Sequence, residues 1–425
     1  MSQWSRRAVL GGLGGLGALV GLERARPARA ASGSDRKFLF VYVHRGWDPA
    51  YVFTPPGGAV VADEGAAARS VGGLTHVDAP TRPNVRRFFD LWADEACIIN
   101  GMEVPSIVHE RCQRLLLTGQ GGAGRDDWPT LLAAAAGTEM GLPYLLLAGV
   151  AFTRNYGDRV VRVGDDGQLP RLLGTDVYGE LGGMRPPAAV SSSAVQAYLQ
   201  RRLDRLAAGG DDLAAYSAAQ SEGLRRISTI SGAGASIDLS LPSYGCERDL
   251  TDDARLAMRA MELGLSRCAM VQSDGVCSEG WDTHTNNALQ GPHFDGLFRY
   301  LDEIMSARSG FMSPTGRPLA EELTIVVLSE MGRTPAISPG GGKDHWPYTS
   351  ALLLGAGVAG GQTIGALDAQ GRGMAVDLRS GAVDSGGTLL GAEGFGATLL
   401  TLGGIDPGSA GISAPPIAAA LLEAP

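Results

Sequence analysis

Lys37-Phe38-Leu39-Phe40-Val41-Tyr42-Val43 is a nearly continuous apolar run, rich in aromatic and β-branched residues. Strict alternation would describe a strand with one wet face. An unbroken run describes a strand buried on both faces, as in a parallel sheet covered by helices. The run ends at Gly46-Trp47-Asp48, and the pattern recurs further along the chain. Arg267-Cys268-Ala269-Met270-Val271-Gln272 is a shorter apolar strand followed, after a loop, by Gly280-Trp281-Asp282. Leu323-Thr324-Ile325-Val326-Val327-Leu328 leads into Ser329-Glu330. Residues 96–99, 144–148 and 351–354 are weaker strand candidates. Helical patterns lie at 252–265, 287–308 and 387–402, the first capped by Thr251 or Asp252 and ended by Gly264. Alternating strand and helix predicts a three-layer α/β/α domain around a mostly parallel sheet. Residues 191–237, rich in Ala, Leu and Arg, break the rhythm and are expected to form two helices of a small cap or insertion.

The N-terminus carries Ser5-Arg6-Arg7-Ala8-Val9-Leu10, a glycine-studded apolar run over 9–22, and a basic segment ending Ala28-Arg29-Ala30. These are the three parts of a signal peptide. The paired arginines mark the twin-arginine variant, and the small-x-small pattern predicts cleavage before Ala31. A 14-residue apolar run falls short of the roughly 20 residues that span a bilayer, so cleavage is expected over anchoring and no later segment is expected to span. The expected partner is the twin-arginine translocation machinery, and the expected location is the periplasm, with secretion or surface association as alternatives. This route carries folded proteins, often with a cofactor already loaded.

Without residues 1–30 the chain loses five arginines and one glutamate, and its formal charge moves from −9 to −13. An acidic mature chain argues against nucleic acid as a partner. Residues 31–425 are expected to be one large domain, and 62 glycines imply many tight turns. The five cysteines, Cys97, Cys112, Cys246, Cys268 and Cys277, show no Cys-x-x-Cys spacing, which argues against a zinc-cysteine site. Cys246 and Cys277, in loop-like sequence, are the first candidates for a disulfide.

In open α/β sheets ligands bind beyond the carboxyl ends of the strands, so the polar residues just after the apolar strands are the ones to collect. They are Asp48, then Asp282 and His284, then Glu330, then Asp344 and His345. Carboxylate with imidazole is the donor set of a divalent metal site, and two ions on one rim would clamp the attacking and leaving oxygens of an ester. Each residue also has a plainer reading. Asp48 suits a helix cap or turn, Asp282 a helix start, and Glu330 a solvated loop acid. Asp344-His345 in the glycine-rich loop Gly340-Gly341-Gly342-Lys343-Asp344-His345-Trp346 is harder to explain that way.

Three segments, Gly280-Trp281-Asp282-Thr283-His284-Thr285-Asn286-Asn287, Ser329-Glu330-Met331-Gly332-Arg333-Thr334-Pro335 and Gly341-Gly342-Lys343-Asp344-His345-Trp346, resemble the signature of an exported bacterial family known as domain of unknown function 1501. That family is similar to the alkaline phosphatase superfamily of phosphatases, sulfatases and cofactor-independent phosphoglycerate mutases. The resemblance runs from Phe38 to the C-terminus and implies an alkaline phosphatase-like fold. It implies Asp48 as the first-strand metal ligand, Asp282 and His284 on one ion, Glu330 where an Asp-His pair is usual, and His345 as the late histidine. Zinc is the first expectation, with Mn, Mg or Ca as alternatives.

Ser106, in Val104-Pro105-Ser106-Ile107-Val108-His109-Glu110, lies where the superfamily's nucleophile would stand, at the start of a helix. It is equally suited to a plain N-cap. His109 is either a ligand or a group that orients one. Arg333 and Lys343 either hold an anionic substrate group or pair with a neighbouring acid. Met331, where many of the superfamily have histidine, would leave one metal site weak or empty. No cysteine begins Cys-x-Pro-x-Arg or Cys-x-Ala-x-Arg, which argues against a formylglycine sulfatase. Trp47, Trp281 and Trp346 are expected to pack the site loops in place.

The expected activity is metal-dependent hydrolysis of a phosphate or sulfate ester, small-molecule or polymeric, with Ser106 and Arg333 as candidate catalytic residues. The alternative is a non-catalytic exported binding protein that keeps the fold. A serine esterase would want a Gly-x-Ser-x-Gly elbow, which the chain lacks.

Overall fold

The computed structural model describes residues 35–61, 63, 65–136, 140–163, 189–234 and 250–422. The expected signal peptide and Cys246 lie outside the described residues. In chain order the strands are β1 (Lys37–Val43), β2 (Ala67–Val71), β3 (Leu74–Asp78), β4 (Ala96–Glu103), β5 (Tyr144–Leu146), β6 (Val160–Arg162), β7 (Cys268–Ser273), β8 (Leu323–Ser329), β9 (Gly332–Arg333), β10 (His345–Trp346), β11 (Tyr348–Gly355) and β12 (Gln362–Ile364).

Eight of them form one sheet in the order β12-β4-β11-β8-β1-β7-β5-β6. β1 lies parallel between β7 and β8, and β5, β6, β4 and β12 run the same way. β11 alone is antiparallel, because the chain returns from β8 through the short β9/β10 ribbon rather than through a crossover helix.

All seven residues of β1 are buried, and its alternate side chains enter two separate cores. Leu39, Val41 and Val43 pack with Phe88, Met258 and Phe298, from helices Pro83–Trp92, Leu250–Glu262 and Gln290–Ala307. Phe38, Phe40 and Tyr42 pack on the other face with Leu116, Leu132 and Leu399, from helices His109–Thr118, Trp128–Ala134 and Ala392–Leu402. Helices thus cover both faces, giving three layers, and each fully buried large apolar side chain contributes roughly 1.5–3 kcal/mol. The long helices Ala189–Ala207 and Asp211–Gly234 pack on each other, and Ser217 Oγ donates to the Leu203 carbonyl at 2.7 Å.

The register positions the site. Val43 pairs with Ser273 on one side and Ser329 on the other, so three central strands end level. The residues that follow them are delivered to one rim. Cys277 is disulfide-bonded, while Cys97, Cys112 and Cys268 are free and buried. Among the described residues no helix is long and apolar enough to cross a membrane.

Candidate metal centre

Four loops meet beyond the level strand ends. The loop after β7 brings Asp282 and His284, β8 leads directly into Glu330, and the β9/β10 ribbon pairs Arg333 with His345. The fourth follows β4 and opens helix His109–Thr118, placing His109 at its first turn. Close approach of the loops depends on Gly342, where an added Cβ would stand 2.0 Å from the backbone carbonyl of His284. Trp47 and Trp281 are fully buried and clamp the loops, with Trp47 Nε1 donating to Thr349 Oγ1 at 2.9 Å and both rings packed on Phe294.

His109, His284 and His345, three of the chain's six histidines, turn Nε2 toward the Asp282 carboxylate. His284 Nε2 and His345 Nε2 lie 3.0 and 3.2 Å from Asp282 Oδ1 and 3.0 Å from each other. His109 Nε2 lies 3.5 Å from Asp282 Oδ2. Each Nδ1 is engaged on the outer side by an acceptor. His109 Nδ1 meets Glu330 Oε1 at 3.0 Å, His284 Nδ1 meets Asp344 Oδ1 at 3.0 Å, and His345 Nδ1 donates to the Ile107 carbonyl at 2.7 Å. A carbonyl or carboxylate can only accept, so each Nδ1 carries a proton, and Nε2 is the nitrogen left to face the centre and offer its lone pair to an ion there.

This donor set fits a divalent metal. Metal-bound histidines use their second nitrogen in this way, on a carboxylate or a backbone carbonyl. His109 Nε2 is buried without a hydrogen-bond partner among the described residues, an orphan that an ion would satisfy. His109, Asp282 and His345 offer ligand atoms all within 4.8 Å of one another, and His284 touches two of those three residues. With Asp282 beside Nε2 and Glu330 on Nδ1, the His109 pKa is raised to about 9. Burial would raise the Asp282 carboxyl, but His109, His345 and Arg333 together hold it well below the ordinary carboxylate range.

Several expectations change. Asp48 is buried outside this group, its carboxylate taken by Lys343 Nζ at 2.8 Å, Asn287 Nδ2 at 2.9 Å and the Ala50 N–H at 3.1 Å. It caps a short turn and pairs with a cation instead of pointing at the histidines. Glu330 and Asp344 are brought to the centre, but they orient His109 and His284 from outside. Glu330, expected as a loop acid or a ligand, is completely buried and also accepts from the Arg45 N–H at 2.8 Å.

Arg333 is not placed to meet a substrate. Its side chain is fully buried, and it donates to the carbonyls of Arg45, Gly46, Trp281 and Lys343 and to Asp282 Oδ1 at 2.8 Å. It is a positioning residue that ties three loop segments together around the acid at the centre. Ser106 is half-buried, and its Oγ accepts from the Val108 N–H at 3.2 Å. It does not cap the following helix, whose N-cap is Val108 with no side-chain bond. Met331 is fully buried in the core, directly beneath Gly46.

His109 is the member that strand-end reasoning did not assign, because it opens a helix. The available signal was a histidine three residues beyond Ser106, on the loop that leaves a central strand. Arg45 was missed altogether. Its φ of 82° is strained for a residue with a Cβ, and its backbone is held by Glu330 and Arg333. Its side chain is exposed and makes no ion pair among the described residues.

Among solved structures the chain is similar to Ps i-CgsB in complex with k-i-k-neocarrahexaose, at 10% identity over 89% of this chain and 74% of that one, with a TM-score of 0.39. It is also similar to the PsFucS1 sulfatase from Pseudoalteromonas sp., at 12% identity over 88% and 68% of the respective chains, with a TM-score of 0.37. No curated protein matches it. The family described as protein of unknown function (DUF1501) matches over residues 89–381, from the helix before β4 to beyond the β9/β10 ribbon, and the protein belongs to that family.

Proposed function

We propose that this protein is a metal-dependent hydrolase of phosphate or sulfate esters, exported by the twin-arginine route and working in the periplasm. The observation that carries the reading is the convergence of three imidazoles on Asp282, each with its outer nitrogen fixed by an acceptor. Three nitrogens and one carboxylate favour zinc, whereas Mg and Ca prefer oxygen donors. A bound ion supplies Lewis acidity, polarising an ester oxygen and easing deprotonation of a hydroxyl.

The protein's own groups divide the remaining work. Ser106 is the proposed nucleophile, on the turn whose Ile107 carbonyl holds His345 and three residues ahead of His109. Arg45 replaces Arg333 as the group proposed to take the substrate's anionic oxygens, since it is exposed and makes no ion pair among the described residues. Arg333 and Glu330 hold Asp282 and His109 in place.

The test is turnover of p-nitrophenyl phosphate and p-nitrophenyl sulfate by the zinc-loaded mature chain. Asp282→Ala and His345→Ala are expected to lose both metal and turnover, and Ser106→Ala to keep metal while losing turnover. Undiminished hydrolysis in either ligand variant overturns the assignment. The second reading, a binding protein with a structural ion, is favoured by one observation. Ser106 Oγ takes its hydrogen bond from a backbone N–H rather than giving one to a base. A chain that binds metal and cleaves neither ester supports that reading.

A further inference from the structure

We infer that the centre holds one exchangeable ion, and that the buried side chains of Lys343 and Arg333 supply the positive charge that a second ion would have brought. The inference rests on the metal reading above and concerns how many ions the donors at the rim can hold.

Seven residues were gathered at this rim by sequence and structure together, enough in number for two sites. Their bonds leave enough for one. Asp48 is spent on Lys343, Asn287 and a backbone N–H. Glu330 Oε1 is spent on His109 Nδ1 and the Arg45 N–H, with no solvent access. Asp344, 70% exposed, turns its Oδ1 to the outer nitrogen of His284. What remains inward is three Nε2 atoms and the Asp282 carboxylate; His109, Asp282 and His345 lie close enough together to share one ion, and His284 Nε2 stands against Asp282 and His345.

The two cations close the alternatives. A carboxylate bridging two ions needs both oxygens, and Asp282 Oδ1 already receives Arg333 Nη2 at 2.8 Å. A second ion on Asp48 would have to displace a fully buried ammonium 2.8 Å away, whose Nζ also donates to the Val61 carbonyl. Removing a buried charge from its partner is strongly destabilising, so Lys343 is not a casual occupant. Lys343 is joined to the centre by its backbone too, its N–H on the Thr283 carbonyl at 3.2 Å and its carbonyl accepting from Arg333.

The experiment titrates the full mature chain, stripped with a chelator and dialysed, with Co(II) followed by its visible d–d bands, and with Zn(II) by elemental analysis. One equivalent is expected to saturate both signals. The charge-removing pair Asp48→Asn with Lys343→Met is expected to keep one equivalent, and His345→Ala to lose it. Two tight equivalents in the wild-type chain overturn the inference, as does loss of the ion in the folded Asp48/Lys343 double variant. If that variant fails to fold, the wild-type stoichiometry still decides. One ion with no ester turnover would refute the hydrolase and leave this inference standing. Two ions with turnover would do the reverse.

Discussion

Glu330 Oε1 stands 3.0 Å from His109 Nδ1, and the same oxygen accepts the Arg45 N–H at 2.8 Å. One buried carboxylate therefore orients an imidazole whose other nitrogen faces Asp282 and fixes the backbone of a strained arginine at the rim. Outer carboxylates of this kind raise the basicity of a ligating histidine, and their loss costs roughly 10–100-fold in metal affinity or activity. Glu330→Gln keeps the shape and removes the charge. It is expected to weaken zinc by that factor, measured by competition with a chromophoric chelator. An unchanged affinity would mean that His109 does not bind the ion through Nε2.

Arg333 gives a prediction of the opposite kind. Its planar fork reaches four carbonyls and Asp282 at once, a geometry that the point charge of lysine cannot reproduce. Arg333→Lys should destabilise the chain by several kcal/mol, about the 3–5 kcal/mol of a disrupted buried charge network, and weaken metal binding together with it. Because the residue is buried, the KM for any ester should change no more than the kcat. Thermal unfolding and steady-state kinetics on one preparation check both. A pure KM effect would return Arg333 to the substrate.

Much of this arrangement was legible in the chain, for a physical reason. β1, β7 and β8 are buried on both faces, so their unbroken apolar runs declare them, and because they end level, the residues just beyond them meet. Asp282, His284, Glu330 and His345 were found in that way. The three-residue strands β6 and β12 carry too little pattern to declare themselves. Asp48 obeyed the same rule and still went elsewhere, because its partner Lys343 lies almost 300 residues away and nothing local marks the pair. Whether a carboxylate faces an ion, a lysine or a histidine's outer nitrogen depends on side-chain direction after folding, which strand-end position does not encode. Glu330 and Asp344 differ from their expected roles for that reason, and of the two readings open for Arg333 the pairing with a neighbouring acid is the one found.

His76, on β3 and far in sequence from the centre, predicts an acid sensitivity. It is fully buried with neither ring nitrogen hydrogen-bonded among the described residues, and its ring stacks on Phe89 at 4.4 Å between centroids. Burial, which disfavours the charged form, pushes its pKa down from 6.5 to about 4. The fold holds the neutral ring, so this contribution is present above pH 6.5 and is lost as pH falls toward 4. A shift of that size amounts to about 3 kcal/mol. His76→Phe keeps the stack and removes both unsatisfied nitrogens. The variant should be more stable at pH 7 by about 1–2 kcal/mol, and its advantage should widen between pH 6.5 and 4.5. Urea unfolding of both chains at matched pH checks this, and parallel pH curves would show that His76 finds partners in solution.

The centre should also govern thermal stability. His109, Asp282, His284 and His345 come from three separate loops, so an ion held by all of them binds the folded chain far better than the unfolded one. By mass action, free metal at about 1,000 times its dissociation constant adds about 4 kcal/mol. Chelation of the zinc-loaded protein should therefore lower the unfolding midpoint by several degrees, and restored zinc should recover it. The control is His345→Ala, in which the chelator should have almost no effect because one of the four donors is gone. If the variant and the parent respond alike, the stabilising ion is bound somewhere other than among these histidines.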